Sequence, residues 1–170
     1  MQKIIDHDST NRVDVFVTPD GERRQQLYIY YRDQNGIYTI ENRDNANPFW
    51  QSDYAWVHFT FVPPGNRPYE GKSIYLFGEL TNYEQNDDSR MSFNEEKGVY
   101  ETALYLKQGY YNYSYVTLTD KKNMVASVEN TEGNYWGTEN NYMILVYFRQ
   151  FGARSDELIG YTRIGSMFQR

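Results

Sequence analysis

The strongest constraint on this chain is a run of two-residue alternation punctuated by turns. Residues 74–116 read IYLFGELTNYEQNDDSRMSFNEEKGVYETALYLKQGYYNYSYV. β-rich runs follow one another here, separated by a polar loop and by Lys97-Gly98 and Gln108-Gly109 turns. The last run places Tyr111, Tyr113 and Tyr115 at every second position. A strand sends alternate side chains to opposite faces, so these three rings share one face, opposite Asn112 and Ser114. That face is expected to enter a core and to pack on Tyr100, Leu104 and Leu106 of the preceding strand.

The same grammar extends along the chain. Residues 13–17 form a short strand candidate closed by the turn signal Pro19-Asp20-Gly21. Residues 27–31 and 37–40 flank Asp33-Gln34-Asn35-Gly36 and read as a β-hairpin. Residues 55–62 (AWVHFTFV) are a strand that Pro63-Pro64 must end, because proline cannot donate to a ladder. A weaker strand is expected near 124–128 and an edge strand at 158–161. Residues 142–148 (YMILVYF) are apolar without interruption, which predicts burial on both faces. Short strands at roughly 8–12-residue spacing favour a sandwich. The expected fold is therefore all-β: an immunoglobulin-like β-sandwich over 52–154, an N-terminal arm with an additional β-hairpin over 1–51, and a C-terminal tail over 155–170. The arm reads as the remainder of a preceding β-rich region.

A chain of 170 residues buries enough surface to fold without covalent staples. Much of its apolar content is aromatic, with 18 Tyr, 9 Phe and 3 Trp, and aromatic rings bury large areas each. The net charge of −6 argues against a nucleic-acid partner, which needs a basic footprint, and against attraction to anionic lipid. No cysteine is present, so disulfides and thiolate metal sites are excluded. No segment is apolar for long enough to span a bilayer as a helix, so no membrane insertion is expected. The first residues, MQKIIDHDSTNR, lack the apolar stretch of a signal peptide. An exported protein would therefore carry this chain as a fragment.

Catalytic and metal-binding groups are sparse. His7 stands between Asp6 and Asp8 in a polar arm, and His58 alternates with Trp56 on a strand; neither supplies a ligand set. Asp33-Gln34-Asn35-Gly36 resembles the start of a calcium loop, but Asp44 stands where the closing glutamate belongs. No glycine-flanked serine elbow or phosphate-binding glycine loop occurs. Glu79, Glu84, Asp87, Asp88, Glu95 and Glu96 gather about one loop, where a solvated acidic surface competes with a glycosidase-type carboxylate pair. The expectation is a protein that is not an enzyme and holds no metal or cofactor. Loop aromatics are the candidate binding residues: Tyr83, Tyr135, Trp136 and Trp50 could stack on a sugar ring or a protein partner.

Two families share parts of this pattern. Gly78, Asn82-Tyr83, Met91, Gly98-Val99-Tyr100-Glu101 and the Gly109–Tyr115 run resemble the early-set immunoglobulin-like modules that bind starch and glycogen. Those modules have tryptophan where Tyr83 stands, and an Asp-Gly turn where residues 117–121 read TLTDK. That resemblance implies a carbohydrate-binding module for α-glucans. A longer set of segments resembles the C-terminal half of the type IX secretion system plug protein family, formerly a domain of unknown function. It comprises residues 38–40, 52–59, 74–81, 107–113, 132–136, 138–142 and 146–149. Arg154-Ser155-Asp156 departs from the Arg-Tyr-Asp usual in that family. The plug resemblance implies a periplasmic accessory protein engaged in protein transport, with an outer-membrane translocon protein as its partner.

Overall fold

A computed structural model of the chain describes residues 4–7, 13–24, 26, 36–41, 47, 50, 52–119, 125–134 and 140–166. The protein is an all-β sandwich. Its strands are β1 (Ile4–His7), β2 (Val13–Phe16), β3 (Asp20–Gly21), β4 (Tyr38–Thr39), β5 (Tyr54–Val62), β6 (Lys72–Phe77), β7 (Ser92–Asn94), β8 (Val99–Lys107), β9 (Tyr110–Tyr111), β10 (Ser114–Thr119), β11 (Asn141–Phe148) and β12 (Glu157–Gly165). They fall in two compact units, Met1–Asn134 and Tyr135–Arg170. The sequence reading set divisions after 51 and 154. The structure instead joins β2 and β3 to the sheet of the first unit and gives β11 and β12 to the second.

The main sheet runs β1-β2-β5-β8-β7, with β3 also on β5. β5 is its axis: β2 and β3 join it in parallel, and β8 pairs with it antiparallel from Tyr54↔Lys107 to Phe61↔Tyr100. Alternation on β5 turns Val57, Phe59 and Phe61 inward. Tyr100, Leu104 and Leu106 of β8 join them. β6 and β10 form a second, antiparallel pair with Leu76 opposite Tyr115. Phe59, Phe61, Ile74, Leu76, Met91, Tyr100 and Tyr115 make the buried core. Each large side chain buried there contributes roughly 1.5–3 kcal/mol of transfer free energy.

Three expectations change. The run of tyrosines is not one strand. Tyr110–Tyr111 pair with Tyr38–Thr39, whereas Ser114–Thr119 pair with β6, so the chain changes partner at Asn112 and Tyr113. Tyr113 and Tyr115 still turn into the core, but their ring contacts go to β5. Tyr113 meets Phe59 edge-on at 5.0 Å, and Tyr115 meets Phe61 at 4.9 Å. Second, Pro19-Asp20-Gly21 is not a free turn, because Asp20 and Gly21 extend along Phe61 and Val62. Third, every residue of β11 is exposed rather than buried. Of the expected N-terminal hairpin, residues 27–35 lie outside the described residues, and its second arm, β4, pairs with β9. The same limit applies to residue 124, although Ser127 bridges Thr117 as the weak strand there suggested.

Asp20 owes its place to a set of polar contacts reaching the core. One carboxylate oxygen accepts the hydroxyls of Tyr113 and Tyr115 at 2.9 and 3.0 Å. The other accepts Arg23 Nη2 at 2.7 Å, and Arg23 Nη1 donates to Glu132 at 3.0 Å. Glu132 in turn accepts the backbone N–H of Tyr115 at 3.0 Å. Burial pushes the Glu132 carboxyl above the usual range against the pull of Arg23. Burial also raises the phenols of Tyr113 and Tyr115, reinforced by the Asp20 carboxylate. A buried hydroxyl without a partner costs about 1–3 kcal/mol, so the shared acceptor matters more than any one of its bonds.

Asp20→Ala should therefore lower stability by about 3 kcal/mol or more in urea unfolding, since it strands two hydroxyls. Tyr115→Phe, which keeps the ring and leaves Asp20 two partners, should cost distinctly less. Equal losses would show that the Tyr115–Asp20 bond alone carries the effect and that the shared acceptor adds nothing. A second expectation concerns alkaline pH. Burial pushes Tyr69 and Tyr111 up to about 12, and it raises Tyr100, Tyr113 and Tyr115 as well. Raised folded-state values mean that the stability from these phenols is complete below pH ~10. It is lost as the pH rises beyond that, because the unfolded chain gives up its phenolic protons first. Phenolate absorbance should thus rise in two stages, the later one coinciding with unfolding. A single smooth titration with the fold intact would contradict this.

Candidate binding face

The outward positions of the main sheet carry exposed aromatic side chains. On β5 the residues alternating with the core set are Tyr54, Trp56, His58 and Thr60. Their cross-strand partners on β8 are Lys107, Tyr105, Ala103 and Glu101. β2 adds Asp14 beside Trp56 and Phe16 beside His58. Tyr54 and Tyr105 stack at 5.2 Å, and Trp56 tilts against Tyr105 at 5.4 Å. Lys107 Nζ lies 5.4 Å from the Tyr54 ring centre. Phe16 and His58 stack at 4.5 Å, and His58 Nε2 bonds to Asp14 Oδ1 at 2.6 Å. Phe16, Tyr54 and Tyr105 remain 43%, 50% and 58% exposed. Each side chain is held by its neighbours on a hydrogen-bonded sheet, so little rotamer freedom remains to be lost on binding.

The polar residues flanking this strip are ordered too. Lys97 Nζ and Asn94 Nδ2 donate to the Glu101 carboxylate at 2.8 and 2.9 Å and hold it below the usual carboxylate range. Beyond the short β7, the loop of residues 80–88 runs near β8. A cavity of about 380 Å³ opens there, lined by Trp56, Tyr105, Leu80, Asn82, Asn86 and Asp88 among others. The loop owes its shape to local bonds. Gly78 begins it where a Cβ would lie 2.8 Å from the Asn112 carbonyl oxygen. Thr81 Oγ1 and Tyr83 N both donate to the Gly78 carbonyl, at 3.0 and 2.9 Å. Asn82 and Tyr83 adopt left-handed backbone, at φ 52° and 57°. Asn86 and Ser89 exchange backbone-to-side-chain bonds of 3.0 Å. Aromatic walls beside amide and carboxylate groups suit a polar ligand with apolar faces or a protein surface.

The candidates chosen from sequence fare differently. Tyr83 is 43% exposed, but its ring meets Phe77 edge-on at 5.6 Å and lies against Gly36. The segment it covers is bonded to Glu79, whose backbone N–H donates to the Gly36 carbonyl and whose carboxylate accepts Tyr38 N, both at 2.8 Å. Tyr83 therefore helps to hold residues 36–38 in place. Trp50 is 77% exposed. Tyr135 and Trp136 lie outside the described residues. Among the described residues, no group of three or more His, Cys, Asp or Glu is placed to hold a metal ion. The acidic loop residues serve partly as local acceptors: Glu79 for Tyr38, and Glu84 for Asn86 Nδ2 at 3.3 Å. Sequence reasoning did not select Tyr54, Trp56 and Tyr105. The available signal was the 54–62 run itself, where aromatic residues occupy both alternating sets.

Comparison with known proteins adds a structural relative. No family model matches the chain, and a search of curated proteins finds no match. Among solved structures the chain is similar to a hypothetical protein from Parabacteroides merdae, with 38% identity and a TM-score of 0.83 over 95% of this chain. The matched region is 39% of that protein's length, so well over half of that protein lies outside the match.

Proposed function

We propose that this chain is a non-enzymatic interaction module, in the manner of the type IX secretion plug proteins, and that it docks a periplasmic protein onto an outer-membrane translocon partner. The observation that carries this reading is the outward strip of Tyr54, Trp56, Tyr105 and Phe16 on a rigid sheet. Exposed aromatic residues surrounded by charged ones such as Lys107, Glu101 and Asp14 have the composition of a protein interface, where aromatic anchors dominate the binding energy. The partner class comes from the resemblance of residues 38–40, 52–59, 74–81, 107–113, 132–136, 138–142 and 146–149 to the plug family. A second reading, binding of an α-glucan, is favoured by the cavity where Trp56 and Tyr105 stand beside Asn82, Asn86 and Asp88.

The two readings separate experimentally. The protein, tagged in its own cells, should co-purify with a large outer-membrane β-barrel protein. The double variant Tyr54→Ala, Tyr105→Ala should lose at least tenfold of that recovery while losing only about 1 kcal/mol of stability in urea, the share of one cross-strand aromatic pair, because both rings point away from the core. Repeated failure to recover a barrel with the wild-type protein would sink the docking reading. Affinity electrophoresis in starch and glycogen gels should show no retardation. Retardation abolished by Trp56→Ala would instead establish the glucan reading.

A further inference from the structure

The second unit is a two-stranded ribbon with an unusual surface. β11 and β12 pair antiparallel from Asn141↔Gly165 to Phe148↔Glu157. The ribbon is tied at one end by reciprocal bonds between Asn140 and Ser166, each of 2.8 Å, and near the other by Arg149 to Asp156 at 2.7 Å. All eight residues of β11 are exposed. Alternation puts Tyr142, Ile144 and Val146 on one face and Met143, Leu145 and Tyr147 on the other. These six side chains are 42–59% exposed. Leu158, Ile159, Tyr161 and Ile164 of β12 are 50–60% exposed. An isolated two-stranded ribbon is at best marginally stable in water, and a strand apolar on both faces belongs inside a covered sheet.

The two edges of the ribbon differ. β12 carries Glu157, Arg163 and Gly160, and its register shifts between Val146 and Tyr147 so that Ile159 has no residue opposite it. Charges and bulges of this kind deter further pairing at a sheet edge. β11 carries no charge, no proline and no glycine in eight residues. Its outer edge, unpaired among the described residues, therefore lacks every one of those guards.

We infer that β11 adds by this open edge to a β-sheet formed by a further region of a longer polypeptide, which covers both apolar faces of the ribbon. What identifies the occupant is the solved relative. Its similarity extends over 95% of this chain, yet most of its own length lies outside the match. A docked ribbon gains backbone hydrogen bonds along β11 and removes its large apolar side chains from water.

Hydrogen exchange read by mass spectrometry tests this on two proteins: residues 1–170, and the polypeptide encoded by the complete reading frame of the gene. Amides of β11 that point away from β12 should exchange at least a hundredfold more slowly in the longer polypeptide. Peptides covering Phe59 and Phe61 should exchange alike in both. Ile144→Asp in the longer polypeptide should release β11 protection and leave the Phe59–Phe61 peptides unchanged. Equal β11 exchange in the two proteins would overturn the assignment, as would protection that survives Ile144→Asp. Protection in residues 1–170 that grows with protein concentration would overturn it in favour of a second copy as occupant. A reading frame that encodes nothing beyond these residues would overturn it outright.

Discussion

One carboxylate organises the sandwich of the first unit. Asp20 stands on a two-residue strand beside Phe61, accepts the hydroxyls of Tyr113 and Tyr115, and through Arg23 reaches Glu132. Both tyrosines bring large rings to the core but also hydroxyls that must be satisfied there. Because a single acceptor serves both, the segment carrying it is fixed to β5, to β10 and to the residue just before β10. The N-terminal part thereby becomes part of the main sheet instead of a separate arm. The network is ionic as well as polar. Breaking it from one side leaves charge and donors without partners, which is why its loss is expected to cost more than its formation contributes.

The all-β class was legible in the sequence because turn signals and two-residue alternation are local. The inward set Val57, Phe59 and Phe61 follows from the same alternation. Other features depend on contacts distant in sequence. Asp20 looks like an ordinary Pro-Asp-Gly turn until Tyr113 and Tyr115 are placed beside it, 93 and 95 residues away. The tyrosine run looks continuous, yet Asn112 and Tyr113 mark a change of partner strand that no local signal announces. β11 shows the converse. Its apolar run was read as burial on both faces, and the described structure leaves it exposed. A sequence pattern reports the environment a strand is suited to, and cannot say which polypeptide provides it.

The loop aromatics chosen from the sequence and the aromatics of the main sheet are held differently. Loop aromatics attract attention because loops are surface features, but Tyr83 spends much of its ring on Phe77 and Gly36. The stacked aromatics of the main sheet are on strands, where a hydrogen-bonded sheet sets their spacing and the exposed Tyr54 and Tyr105 lean on one another and on the half-buried Trp56. A preorganised strip of this kind can offer affinity without the ordering penalty of a loop. Its lysine and carboxylates supply a polar surround suited to a protein partner.

In-cell photo-crosslinking addresses the docking face most directly. With Tyr105 replaced by a photoreactive phenylalanine analogue, irradiation should join the protein to a large outer-membrane β-barrel protein, while the same analogue in place of Tyr83 should give little or no product. Crosslinking from Tyr83 alone, or none from either position, would contradict a docking face built on β5 and β8.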